Sequence, residues 1–158
     1  MLSSKPTTLN PGLREIVDKA VEFHGHLGPF LVLGVKMGLL GLKRLNVRKG
    51  EERLFITVEL RYLTPISCVL DGIQTVTGCT FGNKKLKLLK TSSQKISAKL
   101  TLKNSGKWVK ITLNPLLFKK LKKELFDKRA TKEKVERLSY LIASTSEEEL
   151  FIVKQNNL

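Results

Sequence analysis

Both histidines of this 158-residue chain fall in one heptapeptide, Phe23-His24-Gly25-His26-Leu27-Gly28-Pro29. Imidazole is the commonest biological metal ligand and titrates near pH 7 without help, so a His-x-His pair is a candidate for metal binding or acid/base work. Gly25 lets the backbone turn sharply between the rings, and Gly28-Pro29 reads as the N-cap and first residue of a new helix. A side chain at such a break can leave the packed core and face a ligand. The structural alternative is that one imidazole caps a helix end while the other packs against an apolar neighbour.

A second constellation runs through Cys68-Val69-Leu70-Asp71-Gly72-Ile73-Gln74 to Thr77-Gly78-Cys79-Thr80-Phe81-Gly82. Cys68 sits at the start of a helix-like segment, where the positive end of the dipole is expected to lower its pKa and favour the thiolate. Asp71, one turn later, is a candidate base, a ligand or a group that orients a histidine. At a rise of 1.5 Å per residue Cys68 and Cys79 lie roughly 15 Å apart, too far to share one ion within a protomer. Cys79 could therefore join only from a second subunit, whereas His24, His26 and Cys68 form the intrachain set. Two imidazoles and a thiolate favour one transition-metal ion, zinc first, with nickel or iron as alternatives. Both thiols can also be read as small buried apolar groups.

The elements that must position these residues follow from periodicity. Residues 1–12 are polar, contain Pro6, Asn10, Pro11 and Gly12, and read as a loose arm ending in a turn. Leu13, Ile16, Val17, Ala20 and Phe23 then form the apolar stripe of a first helix that stops at Gly25, and a second helix runs from Pro29 to about Leu45. Gly34, Gly38 and Gly41 inside that helix cost about 1 kcal/mol each relative to alanine, so close-packed backbone is expected against them, in the core or at a two-fold dimer interface. Residues 53–62 alternate as a half-buried strand, Cys68–Thr77 is helical, and Leu86–Lys90 is a strand. Two more strands join through Asn104-Ser105-Gly106 as a hairpin. Asn114-Pro115 and Thr131 start two helices, with Leu117, Leu121 and Leu125 striping the first. Residues 150–153 suit a closing strand better than a continuation of the Ser146-Glu147-Glu148-Glu149 capping signal. The order predicts an α+β fold: a mixed, mostly antiparallel sheet covered by helices, with residues 13–158 as a single domain. The helix from Pro29 and the returning strand bring Cys68 back towards His24 and His26.

The net charge of +15 is concentrated. Between Lys84 and Arg137 there are 18 Lys and Arg against four acids, which leaves the histidine region nearly neutral. Such a field attracts nucleic acid, anionic surfaces or acidic proteins, unless it is only a solvated face. Lys119, Lys120, Lys122, Lys123, Lys128 and Arg129 surround one short helix and its exit, so weak, sequence-independent polyanion binding is expected there. Trp108, Phe118, Phe126 and Tyr140 are too scattered in sequence to suggest a stacking platform. The longest apolar run, residues 27–42, contains Lys36 and is shorter than the roughly 20 residues a membrane crossing needs. A cytoplasmic protein with free thiols and no membrane insertion is expected.

Taken together, the two motifs resemble the FmdE family, the E-type subunits of formylmethanofuran dehydrogenase, which pairs Phe-His-Gly-His-x-Cys-Pro with Cys-x-x-Asp-Ala-Ile-Gln and then Thr-Gly-Cys-Thr. The resemblance covers about residues 13–114 and the closing strand to Val153. It implies an α-β-α-β-β-β core of the kind shared with a glyceraldehyde-phosphate dehydrogenase substrate domain, extended here by C-terminal helices. It further implies metal binding around the His and Cys motifs, and occurrence in archaea and anaerobic bacteria beside molybdenum or tungsten formylmethanofuran dehydrogenase. The role it implies is that of an accessory or substrate-handling subunit, as a homodimer or within a larger complex, rather than an independent enzyme. Gly28 stands where the family usually has cysteine, so one soft ligand is missing, and Asn83-Lys84-Lys85-Leu86 replaces the usual Gly-Asn-Leu turn. Two readings compete with this one. The first is a nucleic-acid or acidic-partner module on the same scaffold. The second is a metal-dependent hydrolase or transferase with Asp71 as base, although no second catalytic carboxylate is evident.

Overall fold

The computed structural model describes residues 9–126 and 130–156. Helix α1 (Pro11–His24) begins two residues earlier than the end of the expected arm. Asn10 and Pro11 do not make a turn. The Asn10 side chain accepts a hydrogen bond from the Gly12 amide at 2.8 Å, and Pro11, which has no amide to orphan, fits the first turn. The helix ends on Gly25, whose φ of 107° is a conformation other residues rarely adopt. Helix α2 (Pro29–Leu45) follows from Gly28 as expected, and nearly all of it is buried.

Strand β1 (Leu54–Leu60) leads through α3 (Cys68–Thr77) to β2 (Leu86–Lys90), which pairs with β1 in parallel. Strands β3 (Ser97–Leu102) and β4 (Lys107–Leu113) form the expected hairpin, with Asn104 and Gly106 at positive φ in its turn. Helices α4 (Pro115–Leu125) and α5 (Lys132–Ser144) start on the caps Asn114 and Thr131. Both alternatives for the C-terminal segment occur in succession: Ser146 caps the single turn α6 (Glu147–Leu150), and β5 (Phe151–Gln155) then pairs antiparallel with β4. The sheet order is β2-β1-β3-β4-β5, a mixed α/β arrangement with one parallel pair.

One face of the sheet supplies the core. Leu54, Ile56, Val58 and Leu60 of β1 join Leu100 of β3 and Val109, Ile111 and Leu113 of β4 beneath α2. The glycine stripe of α2 is what lets α3 and the sheet approach so closely. A Cβ at Gly34 would overlap the Val69 carbonyl of α3, one at Gly38 would overlap Val76, and one at Gly41 would overlap Leu100 of β3. The stripe is therefore internal to the chain and gives no argument for a dimer interface. Gly72 on α3 answers Gly34 across the crossing, against the Leu31 carbonyl. Lys36 is the one charge on α2 that points inward. Its ammonium donates to the carbonyls of Ile142, Ala143 and Thr145 at 3.1, 2.9 and 2.5 Å, tying the exit of α5 to α2.

Candidate metal centre

The buried stripe of α1 explains why one histidine turns inward. On a 3.6-residue repeat, Val17 and Ala20 are continued by His24 rather than by Phe23, which lies about a quarter turn away. Val17 and Ala20 are buried, the His24 side chain is 10% exposed, and Phe23 is 63% exposed. The expectation that Phe23 completes the stripe is thus corrected. After the Gly25 turn the exposed ring of His26 folds back beside His24, with ring centroids 4.5 Å apart. Helix α3 packs against α1 and α2 and presents Cys68, half-buried, from its first turn. Ligand atoms of His24, His26 and Cys68 all lie within 4.8 Å of one another. The three residues expected to form the intrachain set are therefore side by side.

Asp71 fixes the orientation of His24. Its Oδ2 lies 2.6 Å from His24 Nδ1, and an ionised carboxylate can only accept, so the proton belongs on Nδ1 and the lone pair on Nε2. Among the described residues that Nε2 is buried without a hydrogen-bond partner. A buried polar atom with no partner costs about 1–3 kcal/mol. The donor set therefore suits a metal ion: an imidazole nitrogen locked in the ligating tautomer, a second imidazole and a thiol. The carboxylate behind the first histidine is the usual outer partner of a metal-bound imidazole. The other Asp71 oxygen, Oδ1, accepts from Gln74 Nε2 at 3.3 Å, so both oxygens are engaged.

Cys68 departs from its expected acidity. Burial first, and the Asp71 carboxylate second, raise its pKa above the ordinary thiol value, outweighing the hydrogen bond at the helix start. The free thiol is thus protonated at neutral pH, and a cation is what would draw the proton off. Cys79 is not brought to the site. It is 1% exposed, and its Sγ donates to the Leu54 carbonyl at 3.4 Å, so it has no sulfur to offer a neighbouring subunit. It is a packing residue of the core, whose pKa burial also raises.

Two cavities open from the cluster. One, of about 260 Å³, is mostly apolar: Phe30, Leu31 and Pro65 wall it, and Leu125 and Val135 roof it from α4 and α5. Gly28 lies in this wall, and a Cβ there would meet nothing within 4 Å. The other, about 340 Å³, passes Asp71 and Gln74 and is rimmed by Tyr62 and Phe81, both exposed. The contribution of α4 and α5 is invisible to sequence reading. The Leu117-Leu121-Leu125 spacing accounts for Leu125 as helix stripe alone, and nothing local in the sequence points it across the chain to His26.

The basic helix α4 lies apart from the cluster's ligands. Lys119, Lys120 and Lys123 are exposed, whereas Lys122 donates to Gln94 Oε1 at 2.7 Å and lies over the Phe118 ring. Lys128 and Arg129 fall outside the described residues. No described helix is long and apolar enough to cross a membrane.

Comparison with known proteins places these features in one lineage. A curated Archaeoglobus fulgidus protein named "Probable S-adenosyl-L-methionine-binding protein" is 33% identical over 126 residues, covering 73% of this chain and 32% of the relative. The chain thus spans about a third of the length of that relative (32%). The crystal structure of an FmdE-like protein of tungsten formylmethanofuran dehydrogenase from Syntrophus aciditrophicus is similar in fold, with a TM-score of 0.64 at 23% identity, over 96% of this chain and 77% of that one. The family described as "FmdE, Molybdenum formylmethanofuran dehydrogenase operon" matches residues 23–152, from the His-Gly-His segment into β5. With the motif, the fold and the length of that match in agreement, the chain belongs to the FmdE family.

Proposed function

We propose that the chain is a metal-binding accessory or substrate-handling subunit of the FmdE type, working beside formylmethanofuran dehydrogenase or a related enzyme of one-carbon or molybdopterin-linked metabolism. The observation that carries this reading is the buried, unpartnered Nε2 of His24, held in its tautomer by Asp71 and close to His26 and Cys68. These three residues would hold one transition-metal ion, and zinc suits the nitrogen and sulfur donors best. When bound, such an ion supplies Lewis acidity to a ligand lodged beside it. The chain's own residues supply the rest. Asp71 orients His24, while Phe30, Leu31, Leu125 and Val135 keep water from the apolar side. The engagement of both Asp71 oxygens supports an orienting role over that of a general base, which weakens the hydrolase or transferase alternative.

The test is elemental analysis of protein purified without a tag. About one equivalent of a transition metal per chain is expected, and Cys68→Ser should lose most of it while remaining folded. Metal content that is absent from the native protein after supplementation, or unchanged in Cys68→Ser, would remove this reading.

A further inference from the structure

The face of the sheet turned away from the core carries an arrangement that stability does not explain. On this face Lys99 of β3 stands directly opposite Lys110 of β4, and Lys110 directly opposite Lys154 of β5. On the other side Lys99 faces Thr57 of β1, which faces Lys87 of β2. One row across all five strands thus reads Lys87, Thr57, Lys99, Lys110, Lys154. At the usual strand spacing it is about 19 Å long. Like charges placed directly opposite one another destabilise a sheet, and Lys99 and Lys154 are exposed, so no burial offsets the repulsion. Lys95 lies close enough to Lys110 that their contact, with burial and Lys154 adding to it, lowers the Lys110 pKa below the ordinary lysine value, and Glu59 opposes the shift.

The neighbouring row holds rings. Phe55 of β1 faces Thr101, which faces Trp108 of β4, so two aromatic residues distant in sequence flank the lysines on one surface. The scattered aromatics of the sequence therefore do share a platform once the strands pair. Each ring is topped by a lysine: Lys99 Nζ lies 4.9 Å from the Trp108 centroid and Lys103 Nζ 3.7 Å from that of Phe55.

We propose that this open sheet face binds single-stranded nucleic acid without sequence preference, its phosphates along the lysine row and bases against Trp108 and Phe55. Lysine is a compact point charge suited to phosphate, and stacking on aromatic rings tolerates every base. An acidic peptide would satisfy the row and leave the rings unused. Lys99 links the two rows, since turning its ammonium to a phosphate uncovers the Trp108 ring. The site is independent of the metal cluster.

Trp108 is the only tryptophan of the chain, so its own fluorescence reports this surface. Titration with a short oligothymidylate at low salt should quench it, with affinity falling steeply as salt is added. The triple variant Lys99→Gln, Lys110→Gln, Lys154→Gln should bind at least about tenfold more weakly, with the log-log salt slope reduced by about two. Its melting temperature should be unchanged or higher, because opposed like charges have gone; this also shows that the variant folds. Lys119→Gln, Lys120→Gln, Lys123→Gln on α4 should bind within about twofold of the native chain. The proposal is overturned if no binding occurs at low salt, or if binding leaves Trp108 fluorescence unchanged and is lost in the α4 variant instead. It is also overturned if polyglutamate or anionic lipid vesicles of matched charge bind as tightly as the oligonucleotide.

Discussion

His24 depends on Asp71 for its orientation, and this dependence can be measured. Asp71→Asn keeps the shape but replaces a carboxylate acceptor by an amide that can present either an oxygen or an NH2 group, so the tautomer that leaves Nε2 free is no longer enforced. Outer partners of metal-bound histidines are typically worth 10–100-fold in affinity, and a loss of that order is expected in competition with a chromophoric chelator. An affinity unchanged by the substitution would show that Asp71 serves the helix rather than the site. Gly28 offers the converse change. Its backbone is extended, with φ of −157°, and a side chain there would enter open space in the cavity wall shared with His26 and Cys68. Gly28→Cys should therefore be tolerated with little loss of stability and should tighten metal binding. Weaker binding in that variant would mean that the added sulfur blocks the site instead of joining it.

At the scale of elements, the crossing of α2 and α3 sets the position of Cys68 relative to the histidines. Gly34 and Gly72 let the two backbones touch, and Gly34 meets a carbonyl, which cannot rotate aside as a side chain would. Gly34→Ala should destabilise the fold by about 3 kcal/mol, at the upper end of ordinary overpacking, measured by urea unfolding. It should also loosen the metal site by displacing α3. The Lys36 tie gives a second prediction. Burial lowers its pKa from 10.5 to about 8, with Glu147 pulling the other way. The unfolded chain holds that proton more tightly than the folded one, so stability should rise as pH passes from about 8 towards 10.5 and be insensitive to this group below 8. Other groups titrate in the same range, so the measurement is the difference from Lys36→Met. That variant should melt lower throughout, having lost the donor to three carbonyls, and should lack this part of the pH slope. Equal slopes would overturn the assignment.

Much at this scale is legible because it is local. Gly25, Gly28-Pro29, Gly78, Asn114-Pro115 and Thr131 mark helix ends by chemistry confined to a few residues, and each element they bound lies where periodicity predicts. The Asn10-Pro11 pair shows the limit. The same two residue types cap α1 as cap α4, yet the polar stretch before them favours a turn when context is read alone. The inward aim of His24 is present in the Val17-Ala20-His24 spacing and obscured by Phe23, which is more apolar and adjacent. Asp71's partner, the roof of Leu125 and Val135, and the raised pKa of Cys68 all depend on contacts between segments distant in sequence or on burial. No local pattern encodes them.

The whole molecule carries 29 Lys and Arg against 14 Asp and Glu, and the described ion pairs are few and lie mostly at the surface. Self-repulsion of this size works against the compact state, and salt screens it beyond about 10 Å at 0.1 M. Salt also weakens the exposed pairs, but these contribute at most about 1 kcal/mol each. Screening should therefore win, and the melting temperature should climb as sodium chloride is raised from low to physiological strength. The lysine row of the open sheet face places like charges nearer one another than average spacing would. Neutralising Lys99, Lys110 and Lys154 together should accordingly remove a disproportionate share of that salt dependence compared with neutralising three lysines of α4. A melting temperature that stays flat or falls with salt would mean that the surface pairs outweigh the repulsion, and the excess charge would then cost the fold nothing.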